Sequence, residues 1–143
     1  MTDISAKPTN KRNEIMQTAK EIMTTPVVTI AASASVAEAM QLMSEKHLRG
    51  LMVEPSSPGD SYGIVTDSDI VYKVAAIGKN PDAVKIGEVM TKPCVEVDPD
   101  MTVQEVCQIL SRNHLHRAPV VKDKLLGVIT VTDILRETMW WQG

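Results

Sequence analysis

GVITVTDI, residues 127–134, runs from a glycine through β-branched and aliphatic residues to Thr130, and three positions later reaches Asp133 at the head of an apolar helical pattern. The composition is that of a buried strand feeding a helix. Thr130-x-x-Asp133 has the spacing of a capping box, and a carboxylate in a helix's first turn suits the macrodipole. The alternative is that the aspartate holds a ligand. GIVTDSDI, residues 63–70, repeats the pattern with Thr66 and Asp69. Repetition alone does not separate the two readings, because duplication copies caps as faithfully as ligands.

Outward from these stretches the whole chain is written twice. MTTPVVTI from Met23 lies over MTKPCVEV from Met90 at an offset of 67 residues. That offset carries Ser35 to Thr102, Glu38 to Glu105, Met43 to Leu110, His47 to His114 and Val53 to Val120. The closing stretches align at 64, so the first copy holds three extra residues within EPSSPGDSY, where a loop absorbs them at small entropic cost. In each copy a short strand opened by proline (PVVTI or PCVEV) precedes a helix begun by Ser35-x-x-Glu38 or Thr102-x-x-Glu105. Apolar positions 36, 39, 40 and 43, or 103, 106, 107 and 110, then share one helical face. LMV or APVV supplies a second strand, the glycine stretch a third, and a closing helix begins near Asp69 or Asp133. The expected fold is α+β: two tandem β-α-β-β-α motifs, 18–80 and 81–143, packed with pseudo-twofold symmetry through their sheets, behind a flexible arm at 1–17. Copies of about 60 residues are marginal alone, which is why they are expected to dock.

Composition narrows the function. Of the 143 residues 43% are hydrophobic and 23% charged, a balance that is neither disordered nor membranous. No apolar run approaches a bilayer span and the first twenty residues lack a secretory pattern, so a cytoplasmic location is expected. The net charge of −3, with basic residues scattered, argues against a nucleic-acid footprint. Cys94 replaces Val27 in the repeat and Cys107 replaces Met40, so both read as buried small apolar residues and no metal site with His114 or His116 is expected. There is no nucleophile elbow, ligand cluster or P-loop, and no catalysis is expected.

The ordered recurrence of Met-x-x-Pro at 23–26 and 90–93, HLHRAPVV from His114, and Gly-x-x-Thr-x-x-Asp at 63 and 127 resembles paired cystathionine β-synthase (CBS) domains, the Bateman modules, over residues 18 to 139. The resemblance implies a regulatory module that binds adenosine ligands in clefts between its halves. By position it assigns the ribose hydroxyls to Thr66 and Asp69 and to Thr130 and Asp133, with Ser68 and Thr132 as helpers. It assigns phosphate to Arg49 in the first copy and to His116 and Arg117 in the second. The adenine edge falls to backbone around Val27 and Val28, or Cys94 and Val95. A carboxylate can accept both protons of a cis-diol and a guanidinium can hold phosphate bidentately, so the chemistry is coherent. AMP, ADP or ATP are the leading ligands, ahead of S-adenosylmethionine or a nicotinamide dinucleotide. A homodimer formed through the helices and an unidentified client protein complete the expectation, with regulation in trans.

Two further readings compete. The clefts could be vestigial and the chain a ligand-free interaction module, or it could hide a nucleotide hydrolase. His47 and His114 read as cationic residues at helix ends, Asp67 and Lys73 as solvated, and Trp140 and Trp141 as either buried or a partner contact.

Overall fold

The computed structural model describes residues 17–138, so the N-terminal arm expected at 1–17, save Gln17, and the tryptophans Trp140 and Trp141 lie outside the described residues. Along the chain the elements are α1 (Ala19–Ile22), β1 (Thr29–Ile30), α2 (Val36–Lys46), β2 (Gly50–Val53), β3 (Gly63–Thr66) and α3 (Asp67–Ile70). The helix continues as a π-helical turn, Val71–Ala75, and a 3-10 turn follows at Ile86–Glu88. Then come α4 (Val103–Asn113), β4 (Arg117–Lys122), β5 (Lys124–Thr130) and α5 (Val131–Thr138). Helix and strand thus mix as the α+β expectation requires.

The compact units are cut differently from the sequence copies. One spans Val28–Cys94 and the other joins the residues up to Val27 to those from Val95 onward. The chain changes unit between Val27 and Val28 and again between Cys94 and Val95. This explains why the strands expected at PVVTI and PCVEV are so short. Only the far end of each run can pair: Thr29–Ile30 lies parallel to β2, and in the second copy Val97 alone bridges Val120.

Inside the Val28–Cys94 unit, β1, β2 and β3 form one sheet, with β2 antiparallel to β3. Val36, Ala39 and Met43 of α2 bury against Leu51, Val53 and Val65 of this sheet. The segment before the second opening closes the same core with Ile86 and Val89, and Thr91 bridges Ile64 through backbone bonds of 3.0 and 2.8 Å. The other unit repeats this at equivalent positions. β4 pairs with β5, and Val103, Val106 and Leu110 of α4 cover Ala118, Val120 and Ile129. Ala19 and Ile22 of α1 take the places of Ile86 and Val89, while Thr24 bridges Val128. Burying an aliphatic side chain contributes about 1.5–3 kcal/mol, so Ile22 before the first opening, and Ile86 and Val89 before the second, are a substantial part of the cores they join.

Helix starts follow the local signals, with one difference. Thr102 and Glu105 form the reciprocal box, whereas Ser35 accepts the Glu38 N–H at 3.1 Å and Glu38 does not reach back. Thr18 and Glu21 form a further reciprocal box at α1, a T-x-x-E spacing of the same kind. The expected helical face is correct at 36, 39 and 43, but Met40 is 44% exposed, and Cys107, its equivalent, is only half-buried, with burial raising its thiol pKa. Cys94 is also half-buried rather than buried; its Sγ lies 3.4 Å from the Tyr62 carbonyl. His47 and His114 do end their helices, but through backbone conformation: both are left-handed (φ 56 and 54°), where their N–H groups close onto the last turn.

The extra loop of the first copy is pinned to the second opening. Asp60 accepts from the Ser56 and Ser61 amides and pairs with Lys92. The Lys92 bond, then those amides, hold the Asp60 carboxyl below its ordinary value.

Three measurements check these points. Gly127 is required by close approach, since an added Cβ would meet Met23 Sδ at 2.5 Å and Cβ at 3.1 Å; Gly127→Ala is expected to cost about 1–3 kcal/mol in denaturant unfolding, and Met23→Ala to reduce that increment. His114→Gly removes the left-handed penalty and is expected to raise stability by about 0.5–1 kcal/mol, whereas His114→Val lowers it. Because Asp60 is depressed in the folded state, its contribution is present above the ordinary aspartate pKa and is lost as pH falls through the folded value; a carboxyl-carbon NMR titration should place its midpoint below that ordinary value, and Lys92→Met should move it back up.

Candidate functional site

In each unit the hairpin sets the start of one strand beside the end of the next. Gly50 pairs with Thr66 and Arg117 with Thr130. The residue just before each pair is held by the first amide of the closing helix: Asp67 N–H donates to the Arg49 carbonyl and Val131 N–H to the His116 carbonyl, both at 2.9 Å. Arg49 therefore shares a junction with Thr66 and Asp69, and His116 and Arg117 share the other with Thr130 and Asp133. Arg49 and His116 are exposed, and Arg117 is half-buried.

Both aspartates are capping residues. Asp69 Oδ2 accepts from the Thr66 N–H at 2.9 Å and from the Thr66 hydroxyl at 3.1 Å, while the Asp69 N–H returns a bond to that hydroxyl at 3.2 Å. Asp133 Oδ2 accepts from the Thr130 N–H at 3.2 Å, and the Asp133 N–H donates to the Thr130 hydroxyl at 3.0 Å. In each case the second oxygen meets a cation from the next turn: Lys73 Nζ lies 3.1 Å from Asp69 Oδ1, and an Arg136 guanidinium nitrogen 2.5 Å from Asp133 Oδ1. Arg136 bonds Glu137 as well, and these two carboxylates raise its pKa further. One oxygen tied to the backbone fixes the carboxylate's orientation. The other is held by the basic side chain of the next turn.

Three participants were not legible as such. Lys73 is not merely solvated, since it also donates to the Val89 carbonyl at 2.9 Å. Lys73 and Arg136 stand four and three residues beyond their aspartates, a helical spacing that could have flagged them. Thr24, whose hydroxyl donates to Asp133 Oδ2 at 3.0 Å, lies 109 residues away and carries no local signal.

The remaining expected residues are divided between the units. Val28 and Cys94 belong with Asp69, Val27 and Val95 with Asp133. Val28 O accepts from Met52 N–H at 3.3 Å, and Cys94 N–H donates to Tyr62 O at 3.4 Å. Ser68 and Thr132 are exposed on the first turns of the closing helices. Among the described residues no three His, Cys, Asp or Glu side chains cluster as a metal site, and no helix is long and apolar enough to cross a membrane.

Comparison with known proteins agrees with this architecture. The CBS domain family model matches twice, at residues 19–76 and 86–139. Hypoxic response protein 1 of Mycobacterium tuberculosis is 30% identical over 85% of this chain and 85% of its own. An uncharacterized protein of Methanopyrus kandleri is 34% identical over 81% of this chain, which spans 60% of that relative's length. Among solved structures, a hexameric CBS-CP12 protein from bloom-forming cyanobacteria is 50% identical with a TM-score of 0.84, over 90% of this chain and 71% of that one. Hypoxic response protein I, solved with two coordinated zinc ions, aligns with a TM-score of 0.72 at 30% identity, over 84% of this chain and 98% of its own. A CBS pair suggests a regulatory module. The chain belongs to the CBS domain family and carries two CBS domains in tandem.

Proposed function

We propose that this chain is a regulatory module that senses adenine nucleotides (AMP, ADP or ATP) at one or both of its strand–helix junctions and acts in trans on a client protein. The observation that carries the reading is the junction itself: a threonine and an oriented carboxylate, with Arg49 or His116 and Arg117 at the start of the adjoining strand. The carboxylate suits a ribose diol, and an exposed cationic or protonatable side chain suits a phosphate. Charge-assisted bonds of this kind contribute about 1.5–3 kcal/mol each. At a hundredfold excess over Kd a ligand would stabilise the bound arrangement by about 2.7 kcal/mol, the energy available for a partner to read.

Self-association, with a homodimer as its smallest form, is part of the proposal. Val71 and Tyr72 on the π-helical extension of one closing helix, Ile77 in the turn after it, and Val131 and Leu135 on the other closing helix leave exposed apolar side chains. One observation favours a second reading, a ligand-free interaction module: every aspartate oxygen named above already has a partner within the protein.

Isothermal titration calorimetry with AMP and ATP separates the two. The sensor reading expects heat that disappears in the double variant Asp69→Asn/Asp133→Asn, checked for an unchanged circular dichroism spectrum. Silence with both nucleotides favours the interaction module. Native mass spectrometry of freshly purified protein reads the subunit number and any carried nucleotide in the same sample.

A further inference from the structure

The two junctions look alike in sequence but are closed by different partners. At the second, Asp133 is 5% exposed and is held from outside its own helix. Thr24 is anchored to Val128 by two backbone bonds, 2.8 and 3.2 Å, and its hydroxyl donates to Asp133 Oδ2, while Arg136 takes Oδ1. At the first, Thr91 makes the equivalent backbone bridge to Ile64. Among the described residues, however, no hydrogen bond from the Thr91 side chain reaches Asp69. The Thr66 hydroxyl donates to Asp69 Oδ2 in its place, so every partner of Asp69 lies within seven residues of sequence, from Thr66 to Lys73. The Asp69 side chain is 15% exposed against 7% for Asp133.

The difference matters for exchange. A diol arriving at Asp69 has to displace one ammonium on a long, half-exposed stem that keeps its second acceptor, the Val89 carbonyl. A diol arriving at Asp133 has to break a close guanidinium pair, and on the other oxygen it competes with a hydroxyl fixed by the bridge that docks the first opening. Cationic groups do not separate the junctions, since Arg49 stands at the first and His116 with Arg117 at the second; Arg49 is exposed and Arg117 half-buried.

We propose that the junctions have separate tasks: Thr66, Asp69 and Arg49 form the exchangeable nucleotide site, while Thr24, Asp133 and Arg136 form a fixed clasp holding the first opening in its unit. This rests on the nucleotide-sensing reading and says which junction carries it.

Calorimetry of the full chain with AMP, paired with thermal unfolding of the same samples, tests it. The wild type is expected to take up one nucleotide per chain. Asp69→Asn, which keeps a capping oxygen, should weaken binding about 10- to 100-fold with little change in melting temperature. Asp133→Asn and Thr24→Val should each lower the melting temperature by several degrees and leave the AMP affinity within about twofold. Two equal binding events per chain would overturn the assignment while sparing the sensor reading, as would loss of binding in Asp133→Asn alone. Absence of AMP binding in the wild type would overturn the exchange half together with the reading beneath it. The clasp half is then decided by the melting temperatures: equal losses in Asp69→Asn and Asp133→Asn sink it, and a larger loss in Asp133→Asn sustains it.

Discussion

Each Met-x-x-Pro opening lies on a glycine in the closing strand of the other sequence copy, and the construction of both units depends on that close approach. Met23 rests on Gly127 and Met90 on Gly63; a Cβ would meet Met23 Sδ at 2.5 Å in the first pair and Met90 Sδ at 2.9 Å in the second. Backbone bridges of Thr24 to Val128 and Thr91 to Ile64 continue the approach, and the residues before each opening fill the adjacent core with Ala19 and Ile22, or Ile86 and Val89. The motif glycine is therefore a packing requirement. The exchange also makes each unit dependent on chain contributed by the other copy, so neither copy is complete as a contiguous piece of sequence.

Each aspartate is a structural cap whose two oxygens have different partners: capping uses Oδ2 and leaves Oδ1 to a basic side chain of the next turn, so the protein itself sets the orientation of the carboxylate. Capping and ribose recognition could not be told apart from spacing: both need the same hydroxyl and carboxylate three residues apart at a strand–helix junction.

Asymmetry enters through small changes laid on the repeat. The first copy gains a loop whose Asp60 pairs with Lys92 and whose Tyr62 carbonyl receives the Cys94 amide. In the second copy the Thr24 hydroxyl engages Asp133, whereas Thr91 leaves Asp69 to Thr66. These are tertiary choices among equivalent positions, and they give two similar junctions different partners.

Periodicity and repetition in the sequence were sufficient for the duplication, the α+β class, the helix starts at Ser35 and Thr102, most of the buried face of each helix, and the grouping of Thr66 with Asp69 and Thr130 with Asp133. All of these are local, within one helix turn or one hairpin, where backbone geometry permits few alternatives. Tertiary structure alone decided that the openings cross to the other copy, that Met40 faces outward, that His47 and His114 cap by left-handed backbone, and that Thr24 meets Asp133 across 109 residues. Those outcomes depend on which surfaces meet after collapse, and a single chain's residue pattern does not encode distances between segments so far apart.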